Sequence, residues 1–193
     1  MPPVRSALLA ALFFTSALAL AQAPDSATLA KANSGDAAAQ FTVGDALEKS
    51  SLQADPDDRP NLLAQAAAWL RKSADQHHIP AELRLAECYR DGRGLPRDPA
   101  QSAQWYRRAA EQGDPTAQAT LATLYSIGFG VPHDDSQAYF WFDLAASVPG
   151  PNQQKYLANR QSIGTRITAD ELAEVQHRLK QWRVSHPQPT TQP

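Results

Sequence analysis

The sequence predicts an all-α protein, an α/α superhelix (solenoid) of three helix-pair repeats with C-terminal capping helices. The main observation is a pattern that recurs every 36 residues, a period typical of helical-repeat arrays. A second observation is that apolar residues within each repeat recur at the spacing of one helix face. A third is that Asp-Pro pairs and glycines stand where such helices would begin and end.

The N-terminus is predicted to be a leader. A short positive segment ending at Arg5 precedes the apolar stretch Ala7–Leu20. This stretch has the length of a signal-peptide core and is short for a membrane span. A small-x-small site ends at Ala21, so we expect residues 1–21 to be a signal peptide and the product to be periplasmic or secreted. The alternative is that residues 1–21 remain as an uncleaved anchor helix. Residues 22–34 are predicted to form an N-terminal segment before the repeats.

The two clearest repeats align without a gap when Ala81–Gln112 is set over Ala117–Val148. The matching pairs are Ala81 and Ala117, Leu85 and Leu121, Tyr89 and Tyr125, Gly92 and Gly128, Gly94 and Gly130, Pro96 and Pro132, Asp98 and Asp134, and Trp105 and Trp141. Gap-free identity of this kind indicates duplication of one structural unit.

An altered copy precedes these two repeats. Trp69 lies 36 residues before Trp105, but the first helix of this copy is displaced by six further residues, which we assign to the polar segment 49–60. This copy also lacks the Gly-x-Gly pair. The three repeats are predicted to be residues 35–76, 77–112 and 113–150.

Each repeat is predicted to contain two helices. In the second repeat Ala81, Leu85 and Tyr89 fall on one helix face. The pairs Asp98-Pro99 and Asp114-Pro115 favour helix starts, because the Asp side chain accepts orphan amide protons and proline has no amide proton to leave unpaired. Tryptophans recur on the second helices, and this periodicity favours core positions over a ligand cage: Trp69, Trp105 and Trp141.

The segment after the repeats is predicted to close the array. Residues 151–183 contain a helical stretch at Gln153–Gln161 and, after a Thr-x-x-Glu capping box, a helix at Ala169–Arg183. The apolar residues of the second helix share one face, as expected for a lid on the last repeat. Residues 184–193 are predicted to be a disordered tail.

The pattern Ala81…Leu85-Ala86…Tyr89…Gly92-Arg-Gly94…Trp105-Tyr106…Ala109-Ala110 resembles the Sel-1-like repeat family. The likeness covers about 35–150 and implies a superhelix related to tetratricopeptide arrays, used as a scaffold for protein contacts, with no conserved catalytic residue. Some secreted relatives carry a disulfide in each repeat and are linked to β-lactam binding. Cys88 is the single cysteine, so that activity is not expected here.

Composition and motifs exclude several function classes. A net charge of −2 gives no general attraction to nucleic acid, and no later apolar run would insert the mature chain in a membrane. We find no nucleophile, phosphate-loop or zinc motif, so neither a catalytic residue nor a cofactor is expected. The pair His77-His78 lacks a third ligand, so no metal site is expected. It replaces Gly113-Asp114 of the next boundary, so this turn is expected to be built differently.

The best candidate binding face lies opposite the core stripe on the first helices. In arrays of this architecture the first helices line the concave side, and such a groove suits an extended peptide or a partner helix. The alternative is that these residues are ordinary solvated side chains. The candidate positions are Phe41, Asp45, Glu48, Leu83, Glu87, Arg90, Ala119, Thr123 and Ser126.

Charge is distributed unevenly along the chain. Residues 113–150 contain four Asp and no Lys or Arg, whereas residues 151–193 sum to +3. Arg90, Arg93 and Arg97 cluster around one turn, where they could attract an acidic partner or simply form a solvated basic edge.

The sequence therefore predicts an exported, non-enzymatic, monomeric scaffold that binds a protein or peptide in its concave groove. The alternative is a protein that binds peptidoglycan fragments of the cell wall, or an accessory to a wall hydrolase.

Overall fold

The computed structural model describes residues 24–186, where the chain forms nine α-helices and no β-strand. The predicted all-α class is confirmed. The predicted signal peptide lies outside the described residues, as do residues 187–193 of the predicted tail. The helices are α1 (Ser26–Asn33), α2 (Ala37–Ser51), α3 (Arg59–Ala74), α4 (Ile79–Asp91), α5 (Pro99–Glu111), α6 (Pro115–Ile127), α7 (Asp135–Ser147), α8 (Gln153–Gly164) and α9 (Ala169–Ser185).

From α1 to α8 each helix packs on the next in chain order, so α2–α3, α4–α5 and α6–α7 form three stacked hairpins. Helix α1 packs on α2 at one end, and α8 and α9 both pack on α7 at the other. Small residues lie at the contacts between helices, and alanines such as Ala81 and Ala109 are fully buried there. No helix between residues 24 and 186 is long and apolar enough to span a membrane.

The helix starts follow the predicted Asp signals. Asp98 accepts the amide proton of Gln101 at 3.0 Å, and Asp114 accepts that of Ala117 at 2.7 Å. Asp134 starts α7 in the same way. Each cap satisfies an amide that the first helical turn leaves without an acceptor.

Two of the three predicted core tryptophans are buried. Trp105 and Trp141 are 6% and 5% exposed. Trp69 is only half-buried, and the ammonium of Lys72 lies 4.2 Å from its ring centre. The difference follows from the place of Trp69 in the array. Its hairpin is preceded only by the short helix α1, whereas each later hairpin is preceded by a complete hairpin.

The second glycine of each Gly-x-Gly turn allows two backbones to touch. A Cβ on Gly94 would lie 2.1 Å from the carbonyl oxygen of Leu63, and one on Gly130 would lie 2.0 Å from that of Pro99. Each turn therefore rests on the start of the second helix of the preceding hairpin. The first repeat has no preceding hairpin, which explains why it can lack this glycine.

The turn at His77 is built like its equivalents. His77 has φ +61°, and Gly35 and Gly113 at the matching boundaries have φ +101° and +91°. The expectation that this turn would be built differently is therefore wrong, because a non-glycine residue adopts the left-handed conformation here. What differs is the cap, since the His78 side chain makes no capping hydrogen bond to α4.

Ion pairs attach the last two helices to the third repeat. Asp143 pairs with Arg160 at 2.8 Å and with Arg183, and Asp135 pairs with Arg166. The uneven charge of the two segments is thus used internally, to hold α8 and α9 on α7.

Helix α9 packs its apolar face against α7. Trp182 lies edge-on to Phe140 and Trp141, with ring centres 5.8 and 5.4 Å away. The helix continues to Ser185, so the prediction that a disordered tail begins at residue 184 is wrong at its start. The ring of His186, the residue after this helix, stacks on Trp182.

Candidate functional site on the face of the first helices

All the candidate positions lie on α2, α4 and α6, the first helices of the three hairpins. The structure divides them into two parts with different chemistry. Asp45 and Glu48 on α2 and Glu87 on α4 belong to a network of ion pairs. Those on α6, together with Arg90 at the end of α4, adjoin an open apolar groove.

The ion-pair network is centred on Arg84. Its guanidinium lies 2.9 Å from Asp45, 3.3 Å from Glu48 and 3.4 Å from Glu87. The pKa of Asp45 would be raised by burial, but hydrogen bonds from Lys49 and Arg84 hold it below its ordinary value. This charged part of the face therefore joins the first hairpin to the second.

Arg93 adds a second bridge between the same hairpins, lying 3.3 Å from Glu48 and 3.2 Å from Glu87. Glu48 was predicted to face the groove, but it is 7% exposed, so this prediction is wrong. The reason is that two arginines of the next repeat cover its carboxylate.

Two apolar candidates contribute little open surface. Phe41 packs on the ring of His78 with centres 5.4 Å apart, and Leu83 is half-buried against the core.

Burial raises the pKa of the Cys88 thiol to about 12, with nearby Glu48 adding to the shift. The cysteine is buried and so is a packing residue, since its reactive thiolate form is strongly disfavoured.

The open part of the face is a groove of about 510 Å³ between α6 and α8. Of the predicted positions, Arg90, Ala119 and Thr123 line it directly, although Ala119 is itself only 7% exposed. Ser126 lies beside the groove, and its carbonyl is 3.5 Å from the guanidinium of Arg166. The full lining is Arg90, Thr116, Ala119, Thr120, Thr123, Leu124, Ile127, Phe129, Phe142, Asn152, Lys155, Tyr156 and Asn159.

Sequence reasoning missed the wall that α8 contributes. Helix α8 occupies the position of the first helix of a fourth hairpin, and Gln153 donates to the carbonyl of Ala146 at 3.0 Å. Gln118 makes a similar bond at 3.1 Å to the carbonyl of Ala110, which lies 36 residues before Ala146. The signal was present in the sequence, because Leu157 follows Leu121 by one further period of 36 residues.

The predicted arginine cluster is largely engaged within the molecule. Arg90 pairs with Asp91 at 2.8 Å and donates to the hydroxyl of Tyr106 at 3.3 Å. Arg97 donates to the carbonyl of Arg90, and its guanidinium lies 5.5 Å from the ring centre of Phe129. These contacts fix Arg90 and Arg97 at one end of the groove. Within residues 24–186 no group of three or more His, Cys, Asp or Glu could hold a metal ion.

The fold and the repeated positions on this face together define a protein of the helical-repeat class. The Sel1 repeat pattern matches residues 37–78, 79–114 and 115–147, which is more than half of the chain. The protein therefore belongs to the Sel1 repeat family, and the resemblance drawn from the sequence is confirmed. Sel1 repeats commonly mediate protein–protein interaction, and the family generally consists of non-enzymatic scaffolds.

Several solved structures are similar to this chain, among them the following two. One is a protective antigen of uropathogenic Escherichia coli with an SLR fold, 26% identical with a TM-score of 0.58. The match covers 81% of this chain and 39% of that protein, so this chain spans well under half of its length. The other is a Sel1 repeat protein from Oxalobacter formigenes, 32% identical with a TM-score of 0.58, covering 69% and 96% of the two chains. No curated protein matches the chain.

Proposed function

We propose that this protein is an exported, non-enzymatic, monomeric scaffold that binds a protein partner, as a peptide or a helix, along the face of its first helices. The observation that supports this most directly is the open groove between α6 and α8. It adjoins Arg90 and Thr123, two of the positions that the repeat pattern predicts for the binding face. The ion-paired positions on α2 and α4 would stiffen the rest of this face.

Partner binding can be tested with a photo-crosslinking residue at single positions. Thr123 lines the groove, whereas Gln104 is exposed on α5, a second helix. We expect a protein adduct from position 123 in envelope extracts and none from the matched position 104. Adducts from position 104 alone, or from neither position, would contradict the proposal.

Export requires a separate experiment. We expect the chain produced in a Gram-negative host to be recovered outside the cytoplasm with Gln22 as its first residue, because cleavage is proposed after Ala21. A variant without residues 2–21 is the control and should remain inside. An N-terminus still at Met1 in the envelope fraction would instead support the uncleaved anchor.

A wall fragment is the other occupant to be tested. Titration of the purified protein with soluble peptidoglycan fragments should give no saturable heat if the partner is a protein. Saturable binding that is lost in Thr123→Trp would replace the protein partner with a wall ligand in the same groove.

A further inference from the structure

The groove between α6 and α8 has an apolar interior that reaches the surface. Leu124, Phe142 and Tyr156 are buried residues that line it, and Ile127 at its edge is 64% exposed. Covering such apolar surface with an apolar side chain of a partner removes it from water, which is favourable. A volume of about 510 Å³ also lies within the usual range for pockets that enclose a ligand group, roughly 300–1,000 Å³.

The charged groups around this groove are predominantly cationic. Of the described residues that line the groove, none is acidic and two are basic, Arg90 and Lys155. Arg97 lies beside Phe129 at one end of the groove. At this end the negative charge of Asp91 partly offsets the positive charges of Arg90 and Arg97. Lys155 is exposed on α8 and has no ion pair within residues 24–186. The groove is therefore complementary to a negatively charged ligand.

The walls carry groups that suit a peptide backbone. Asn152 and Asn159 project from α8, and Thr116 and Thr120 face them from α6. A side-chain amide offers both a donor and an acceptor, as a peptide unit does. Asn152 stands at the start of α8 but makes no capping bond there, which leaves its amide for a ligand.

From these features we propose that the groove binds an acidic segment of a protein partner, in which a large apolar residue lies within two positions of an Asp or Glu. This rests on the proposed function and names the chemistry of its partner. The apolar side chain enters between Leu124 and Tyr156. The carboxylate pairs with Lys155, and the backbone bonds to Asn152 or Asn159.

The test is a selection from a displayed library of random eight-residue peptides on the purified protein. We expect the enriched sequences to place Leu, Ile, Phe or Trp next to or two positions from an acidic residue. Enrichment of basic or uncharged peptides would overturn the proposal. So would the failure of any sequence to be enriched.

Two variants with matched controls locate the binding. Lys155→Glu should weaken the selected peptides by about fivefold at low salt, and Thr123→Trp, which fills the groove, by about tenfold or more. Lys180→Glu on α9 and Gln104→Trp on α5 should leave affinity unchanged. Circular dichroism melts of all four variants should match that of the unaltered protein.

The outcomes separate this proposal from the broader one. Unchanged peptide affinity in both groove variants, with partner adducts still formed from position 123, would refute the acidic ligand and leave the scaffold intact. Absence of partner adducts would refute the scaffold, whatever the peptides do.

Discussion

The guanidinium of Arg108 lies 3.2 Å from the carboxylate of Glu82, a side chain that is fully enclosed between two hairpins. At the equivalent positions, Gln40 and Gln118 each donate to a carbonyl eight residues back, at 3.1 Å. Glu82 cannot donate when ionised, and Arg108 itself donates to the matching carbonyl, that of Ala74, at 3.1 Å. Elsewhere in the array a glutamine makes this bond to the preceding helix, whereas here Arg108 makes it and is paired with Glu82.

This relationship predicts unequal effects of removing either partner. Glu82→Gln restores the residue found in the other repeats, and the guanidinium that it leaves unpaired is one-third exposed and hydrated. It should therefore change the free energy of unfolding by about 1 kcal/mol or less. Arg108→Met leaves Glu82 buried without its cation and should cost roughly 3 kcal/mol. Urea unfolding measures both values, and equal stability of Arg108→Met and the unaltered protein would contradict this account.

The same carboxylate predicts a pH dependence. Burial raises the pKa of Glu82, and the opposing effects of Arg108 and His77 do not cancel the shift. The folded protein then holds this proton more tightly than the unfolded chain does. The resulting stability is complete below the ordinary pKa and is lost as the pH rises through the raised one.

The unaltered protein should therefore gain thermal stability over Glu82→Gln as the pH falls from 7 towards the ordinary Glu pKa of 4.5. Melting temperatures of both proteins across this range measure the gain. A constant difference would show that this carboxyl group titrates alike in the folded and unfolded chains.

Substitution of the turn glycines should separate backbone conformation from backbone contact. Gly113 has φ +91°, and a Cβ added there would have no heavy atom within 4 Å. Gly113→Ala should therefore lose only the stability needed to hold alanine in the left-handed conformation, about 1–2 kcal/mol. Gly130→Ala adds a Cβ 2.0 Å from a carbonyl oxygen and should cost about 2–5 kcal/mol. Equal losses in chemical denaturation would rule out the contact between neighbouring backbones.

The tryptophans should differ according to their place in the array. Trp105→Ala and Trp141→Ala each remove a buried indole and should cost about 3–5 kcal/mol. Trp69→Ala is the internal comparison and should cost clearly less, because that ring is half-buried. Thermal melts followed by circular dichroism rank the three, and unchanged melts for the first two would refute their packing role.

The last two helices should loosen when Asp143 is changed. Asp143→Asn removes the charge that pairs with Arg160 and Arg183 and should cost about 1–3 kcal/mol. Amide hydrogen exchange should rise in α8 and α9 more than in α4 and α5. Glu174→Gln, an exposed change on α9, is the control, and an equal rise in both variants would contradict the role of Asp143.

The elements that the sequence predicts well are those with local causes. Asp98 and Asp114 start helices because their side chains accept nearby amide protons, and Gly92 ends α4 with φ +74°. The period of 36 residues then places equivalent residues at equivalent positions. These signals sufficed for the fold class and for the helices that carry the candidate face.

Features that depend on distant packing could not be predicted in the same way. Glu48 has the spacing of a surface residue and is buried because Arg84 and Arg93 arrive from the next hairpin. His77 adopts a conformation usual for glycine. Predicting the groove requires the position of α8, and the sequence of this helix matches the repeat only weakly.

The contact made by Gly94 and Gly130 bears on how such proteins diversify. Main-chain atoms alone meet at these two points, so this part of the contact between successive hairpins does not depend on the side chains around it. Surface residues away from these glycines can then change, and a new ligand can be accommodated, without disturbing the backbone contact that each turn makes with the preceding hairpin.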